Sequence, residues 1–273
     1  MFEKGQIGYD MKKQYSFLLL SVLLIPILLG WTLIDNKWMV EEQNGYSLYY
    51  TAMDKQNIIE YTIYFQVGKT TVEEFFQSPF KNNFSIYIHP SRSSLDSTWQ
   101  KDWNMPDFKS QCWMVASGVS NKLDIISPKK WDSLACEHSY TDSIKTQHLI
   151  THELVHVFHG QQNKSPDFSN VTGIDWFVEG LAVYTSGQCD SIRISEVKKA
   201  LSENNIPETL DEFWTGNLKY GLSGTVVWYL DEKFGREKLI SLLKFNTIQE
   251  LLNALNTTES EIIYGWKESL KNL

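Results

Sequence analysis

Residues 149–160 read Leu149-Ile150-Thr151-His152-Glu153-Leu154-Val155-His156-Val157-Phe158-His159-Gly160. Within them His152-Glu153-Leu154-Val155-His156 is an H-E-x-x-H pattern set in an apolar run, Leu149 to Phe158, with no Pro or Gly before Gly160. Such a run predicts a helix. On a helix, positions i and i+4 differ by about 40° of rotation, so both imidazoles project from one face. Two ligands of one zinc ion need that geometry, at roughly 2.0–2.1 Å from the metal. Glu153 lies beside the first ligand, where it reaches a metal-bound water rather than the metal. Paired histidines can also simply stack on a helix surface.

A second stretch weighs against that plainer reading. Trp176-Phe177-Val178-Glu179-Gly180-Leu181-Ala182-Val183-Tyr184 follows a spacer rich in Asn, Ser, Gly and Asp. Asp175 reads as the N-cap of a helix and Gly187 as its stop. Glu179 is the single acidic residue in this apolar segment. A lone buried carboxylate needs a partner, and a zinc ion held by two imidazoles would supply one. A salt bridge, or a wet helix edge, would also account for it.

H-E-L-V-H followed by W-F-V-E-G-L-A-V-Y resembles the gluzincin metallopeptidases, in the branch described as peptidase-MA-like. The likeness is strongest over residues 149–184. It implies one Zn2+ ion held by His152, His156 and Glu179, with Glu153 as catalytic base and a peptide or protein as substrate. It also implies an α+β, zincin-like fold: a small mixed or antiparallel sheet, then an active-site helix, then a C-terminal helical subdomain. Tyr220 opens the long apolar helix expected after the E-G-x-A segment. In the resembling families a tyrosine there often donates to the oxyanion, although a core or rim tyrosine is an equal reading. The metzincin pattern would require glycine at 159 and histidine at 162, where His159 and Gln162 stand. The G-x-M-E-N motif of zinc aminopeptidases is absent.

The resemblance also implies an edge strand before the active helix, given to Lys122–Ser127 or its hairpin partner, that pairs with an extended peptide by main-chain bonds. Other strands are expected at Tyr46–Tyr50, Ile58–Val67, Phe84–Ile88 and Trp113–Val119, from aromatic and β-branched content. Thr71–Gln77 reads as a short helix. His89 reads as a solvated turn histidine before a Ser-rich turn. His148 and His159 flank the motif as groups behind the ligands or as polar helix ends. Beyond Gly187, helices are expected at Ser195–Glu203 (capped by Ser195), Leu210–Trp214, Tyr220–Phe234, Arg236–Phe245, Thr247–Leu255 and Ser260–Leu270.

The chain has 273 residues, 42% hydrophobic and 14% aromatic, which favours a packed body over disorder. Residues 1–35 carry Lys4, Lys12 and Lys13 against Glu3, Asp10 and Asp35, so the rest keeps the full net charge of −8. An acidic body of this kind argues against nucleic acid as a partner. Residues 14–34 hold 21 uncharged positions, preceded by Lys12 and Lys13. That length spans a bilayer, and the positive flank keeps residues 1–13 cytoplasmic and sends the body across. The region offers no A-x-A-like site, so an anchor is preferred to a cleaved signal. Both readings put the domain, 40–273, outside the cytoplasm: sheet-rich over 40–130 and helical over 143–273. There Cys112, Cys136 and Cys189 allow one disulfide, Cys112 with Cys136 first among the pairings, or three free thiols. The reading that follows is a membrane-anchored zinc metallopeptidase. The alternatives are a catalytically idle, zinc-stabilised binding or scaffold protein, and a zinc hydrolase of non-peptide amides.

Overall fold

The computed structural model describes residues 37–271. The hydrophobic run 14–34 lies outside the described residues. Among the described residues no helix is long and apolar enough to cross a membrane.

The fold is mixed α and β. A five-stranded sheet has the order β1 (Met39–Gln43), β2 (Tyr46–Tyr50), β3 (Phe84–His89), β5 (Lys122–Ile126), β4 (Ala116–Val119). The two central pairings, β2 with β3 and β3 with β5, are parallel, and each outer strand is antiparallel to its neighbour. Alternation sets the buried faces: Tyr46, Leu48 and Tyr50 on β2, and Phe84, Ile86 and Ile88 on β3, all point inward. β4 is therefore an outer strand, paired to β5 with Ala116 opposite Ile125 and Val119 opposite Lys122. Of the two strands proposed for the edge, the hairpin partner holds it. The strand itself is shorter than Trp113–Val119.

The parallel β2–β3 connection needs a crossover, and Ile58–Phe76 supplies it as one helix, α1. This corrects the strand expected at Ile58–Val67 and absorbs the short helix expected at Thr71–Gln77. Its residues favour strands locally, but the buried positions Ile58, Tyr61, Phe65, Gly68, Val72 and Phe76 recur every three or four residues. Packing of that stripe overrides β propensity. Similarly, the Ser-rich segment after His89 is a helix, α2 (Arg92–Asp102), with Ser91 accepting a bond from the Ser94 amide. His89 is not solvated: it is 1% exposed. Its ring bonds Ser94 Oγ at 3.0 Å and Asp124 Oδ1 at 3.0 Å, tying β3 to α2 and β5.

A short helix, α3 (Trp131–Leu134), precedes the motif helix α4 (Ser143–Gln162). The chain continues as α5 (Asp175–Thr185), α6 (Ser191–Ser202), α7 (Lys219–Phe234), α8 (Arg236–Ser241), α9 (Ile248–Leu255) and α10 (Glu259–Lys271). Several stretches differ from expectation, among them the helix expected at Arg236–Phe245, which stops at Ser241. Asp175 is the first helical residue, after Ile174 at the cap. Helix α6 starts earlier than Ser195 because Asp190 caps it, accepting from the Arg193 amide at 2.9 Å. The segment before α7 is a single 3-10 turn, Asp211–Trp214. Trp38 onward forms one compact unit.

Candidate metal centre

Helix α4 has one face in the core and its motif face towards a cleft. Leu154, Val155, Val157 and Phe158 are buried. Two glycines let its neighbours approach. A Cβ on Gly68 of α1 would lie 2.8 Å from Leu154 Cδ1. A Cβ on Gly118 of β4 would lie 2.2 Å from the Glu153 carbonyl oxygen. The outer strand thus runs against the motif helix at the turn that carries Glu153.

Helix α5 is set by the same device. Trp176, Phe177, Val178, Leu181, Ala182 and Val183 are all buried. A Cβ on Gly180 would lie 2.4 Å from the Ser223 carbonyl oxygen of α7, and one on Gly224 would lie 2.7 Å from Val183 Cγ1. These reciprocal glycines bring the α5 and α7 backbones together. The residue before Gly180 then faces α4, and that residue is Glu179.

His152, His156 and Glu179 converge, with one ligand atom from each lying within 4.8 Å of the others. The His152 and His156 Nε2 atoms are 3.1 Å apart. Glu179 Oε2 stands 3.4 Å from the first and 3.5 Å from the second. Three donors of a tetrahedral ion with bonds of roughly 2.0–2.1 Å are separated by about 3.3 Å. The triangle therefore has the dimensions of one face of a zinc tetrahedron, and its atom types suit zinc. The histidines are 7% and 6% exposed, whereas the Glu179 side chain keeps 27%, so the triangle is not sealed in the core, and His152 lines the cleft beside it. Burial opposes ionisation of Glu179, but the two imidazoles outweigh it and hold the carboxyl well below its usual range. Burial pushes the Glu153 carboxyl up, against the pull of both histidines and a backbone hydrogen bond from Gly118. A basic carboxylate suits proton transfer.

The cleft has a volume of about 340 Å³, with His152, Glu153, Ala116, His148, Arg193 and Tyr220 among its lining residues. Burial, reinforced by Glu179 and Glu153, raises Tyr220 to about 12. His148 reaches the cleft itself, while His159 is fully buried and bonds the Leu243 carbonyl at 3.0 Å. His159 is thus a packing residue rather than a polar helix end.

Reading the sequence alone misses the outer wall of this cleft. Cys112 and Cys136 are disulfide-bonded, with Cα atoms 5.4 Å apart, and Cys189 is a free thiol. Each bonded cysteine is followed by cleft residues, Trp113 and Met114 after the first, Glu137 and His138 after the second. His138 Nε2 donates to the Trp113 carbonyl at 3.0 Å. Arg92 gathers both arms, donating to Ser110 Oγ and to the carbonyls of Gln111, Cys112, Met114 and Leu134. The cysteine spacing was the one available signal; nothing local marks Arg92.

No family model matches the chain, and no curated protein matches it.

Proposed function

We propose that this protein is a zinc-dependent metallopeptidase of gluzincin type on a zincin-like fold. The observation that carries the reading is the convergence of His152, His156 and Glu179 from two helices, at donor spacings that suit one tetrahedral ion. His152, His156 and Glu179 would hold Zn2+. Three protein ligands leave a fourth position open, as catalytic rather than structural sites do. When bound, zinc supplies Lewis acidity and lowers the pKa of a water molecule towards about 7.

The chain's own residues do the rest. Glu153 accepts the proton of the attacking water at its carboxylate and delivers it to the leaving amide nitrogen. The Tyr220 hydroxyl, on the cleft wall and protonated at any working pH, donates to the oxyanion that develops on the substrate carbonyl. β4, paired on one side only among the described strands, offers main-chain groups to an extended peptide. Its contact with α4 at Gly118 fixes the register between that peptide and Glu153.

Anchoring through residues 14–34, with the domain outside the cytoplasm, belongs to the same reading. The Cys112–Cys136 bond supports it, because such bonds persist in oxidising compartments. Metal analysis joined to digestion of a proteome-derived peptide mixture tests the proposal. One zinc per chain, with cleavage abolished in Glu153→Gln, is expected. Zinc without any cleavage would leave the idle scaffold in its place.

A further inference from the structure

Tyr220 is flanked by two cations. The Arg193 guanidinium carbon lies 5.4 Å from its ring centre and the Lys219 ammonium 5.2 Å. The same ammonium is 4.6 Å from the Trp214 ring and 5.1 Å from the Trp113 ring. Aromatic faces position a cation without neutralising it. Among the described residues, neither the Arg193 guanidinium nor the Lys219 ammonium has a carboxylate within 4.0 Å. The Arg193 guanidinium donates to the Gln188 carbonyl at 2.6 Å. Both residues are half-buried in a chain of net charge −8. Positive charge taken partly out of water without a counter-ion is costly, and an anionic occupant removes that cost.

The placement says which anion. Arg193 and Tyr220 line the cleft that contains His152 and Glu153, and both also line an adjoining hollow of about 480 Å³ reached by Lys219. Exposed Glu137, Asp190 and Glu196 stand around these cavities. A rim of that sign repels a dianion such as phosphate more strongly than a monoanion.

We propose that Arg193 and Lys219 form a subsite for a carboxylate of the peptide substrate, next to the scissile bond. The inference rests on the peptidase reading and names its substrate class. The guanidinium fork matches a carboxylate bidentately, and the ammonium adds a point charge. The carboxylate is either the peptide's C-terminus or an Asp or Glu side chain.

Calorimetric titration of the zinc-loaded full chain, carrying Glu153→Gln to prevent turnover, tests the subsite. The probes are an N-acetyl dipeptide with a free C-terminus, its C-terminal amide, and an amidated dipeptide containing Asp. One of the two acids is expected to bind at least about tenfold more tightly than the neutral amide. A preference for the first assigns the subsite to the C-terminus, and for the second to a side chain. Adding Arg193→Gln should collapse the preference, and Arg193→Lys should restore part of it. Equal binding of acids and amide overturns the proposal, as does a preference that survives Arg193→Gln with Lys219→Gln. Acid preference in a wild-type protein that cleaves nothing removes the peptidase reading and keeps the anion site. Indifferent cleavage of neutral and acidic peptides does the reverse.

Discussion

At the scale of single residues, holding the metal and moving the proton fall to different side chains. Glu153 is not one of the converging ligand groups. Glu153→Gln should therefore keep one zinc per chain and lower kcat at least about 10²-fold. Metal analysis beside steady-state kinetics checks both halves. Tyr220→Phe removes only a hydroxyl. It should cost about 10²–10³ in kcat with little change in KM. A pH prediction comes from His159, which burial pushes down to about 3. The folded value lies below the unfolded one, so the unfolded chain binds more protons. The contribution of His159 to stability is then full above about pH 6.5 and falls as pH drops towards its folded value, by up to about 1.4 kcal/mol per unit. His138, also lowered by burial, adds in the same direction. Urea unfolding of the zinc-stripped protein at pH 7 and pH 5 should show this loss. His159→Asn should flatten the slope, and an unaltered slope would reject the assignment.

At the scale of elements, the site depends on close backbone approaches. A methyl on Gly180 meets the Ser223 carbonyl of α7, which belongs to a packed helix and cannot swing aside. Gly180→Ala should destabilise the fold by about 1–3 kcal/mol and push Glu179 out of line. Zinc affinity, measured by chelator competition, should fall with the loss in melting temperature. The same elements show what was legible from sequence. The β2 and β3 strands were readable because burial alternates along them, and the motif and E-G helices because each sets polar residues of fixed spacing in a long apolar run. Ile58–Val67 was misread because Ile, Tyr, Phe and Val favour strands locally, whereas the stripe that decides is visible only over all 19 residues of Ile58–Phe76. Arg92–Asp102 was missed because its mean composition is polar and only Leu95 and Trp99 are buried.

At the scale of the whole molecule, the cleft is an assembly of distant segments: an outer strand, two arms joined by a disulfide, the motif helix, and the starts of α6 and α7. The three ligand candidates were legible because two share the H-E-x-x-H helix and the third sits alone in the apolar E-G helix. Arg193 and Lys219 were not, because their meaning arises only where α6 and α7 meet the ring of Tyr220. The disulfide closes a separation of 24 residues, and Cys112→Ser with Cys136→Ser should cost about 3 kcal/mol. Arg92 still bonds both arms in that variant, so substrate affinity should weaken more than zinc affinity. Equal loss of both would mean that the arms support the metal ligands themselves.

The most direct measurement is anomalous diffraction at the zinc edge from crystals of the purified protein. The account predicts a single peak within about 2.0–2.2 Å of His152 Nε2, His156 Nε2 and a Glu179 carboxylate oxygen. A peak elsewhere, or a Glu179 carboxylate turned away from a zinc held by the two rings, would contradict it.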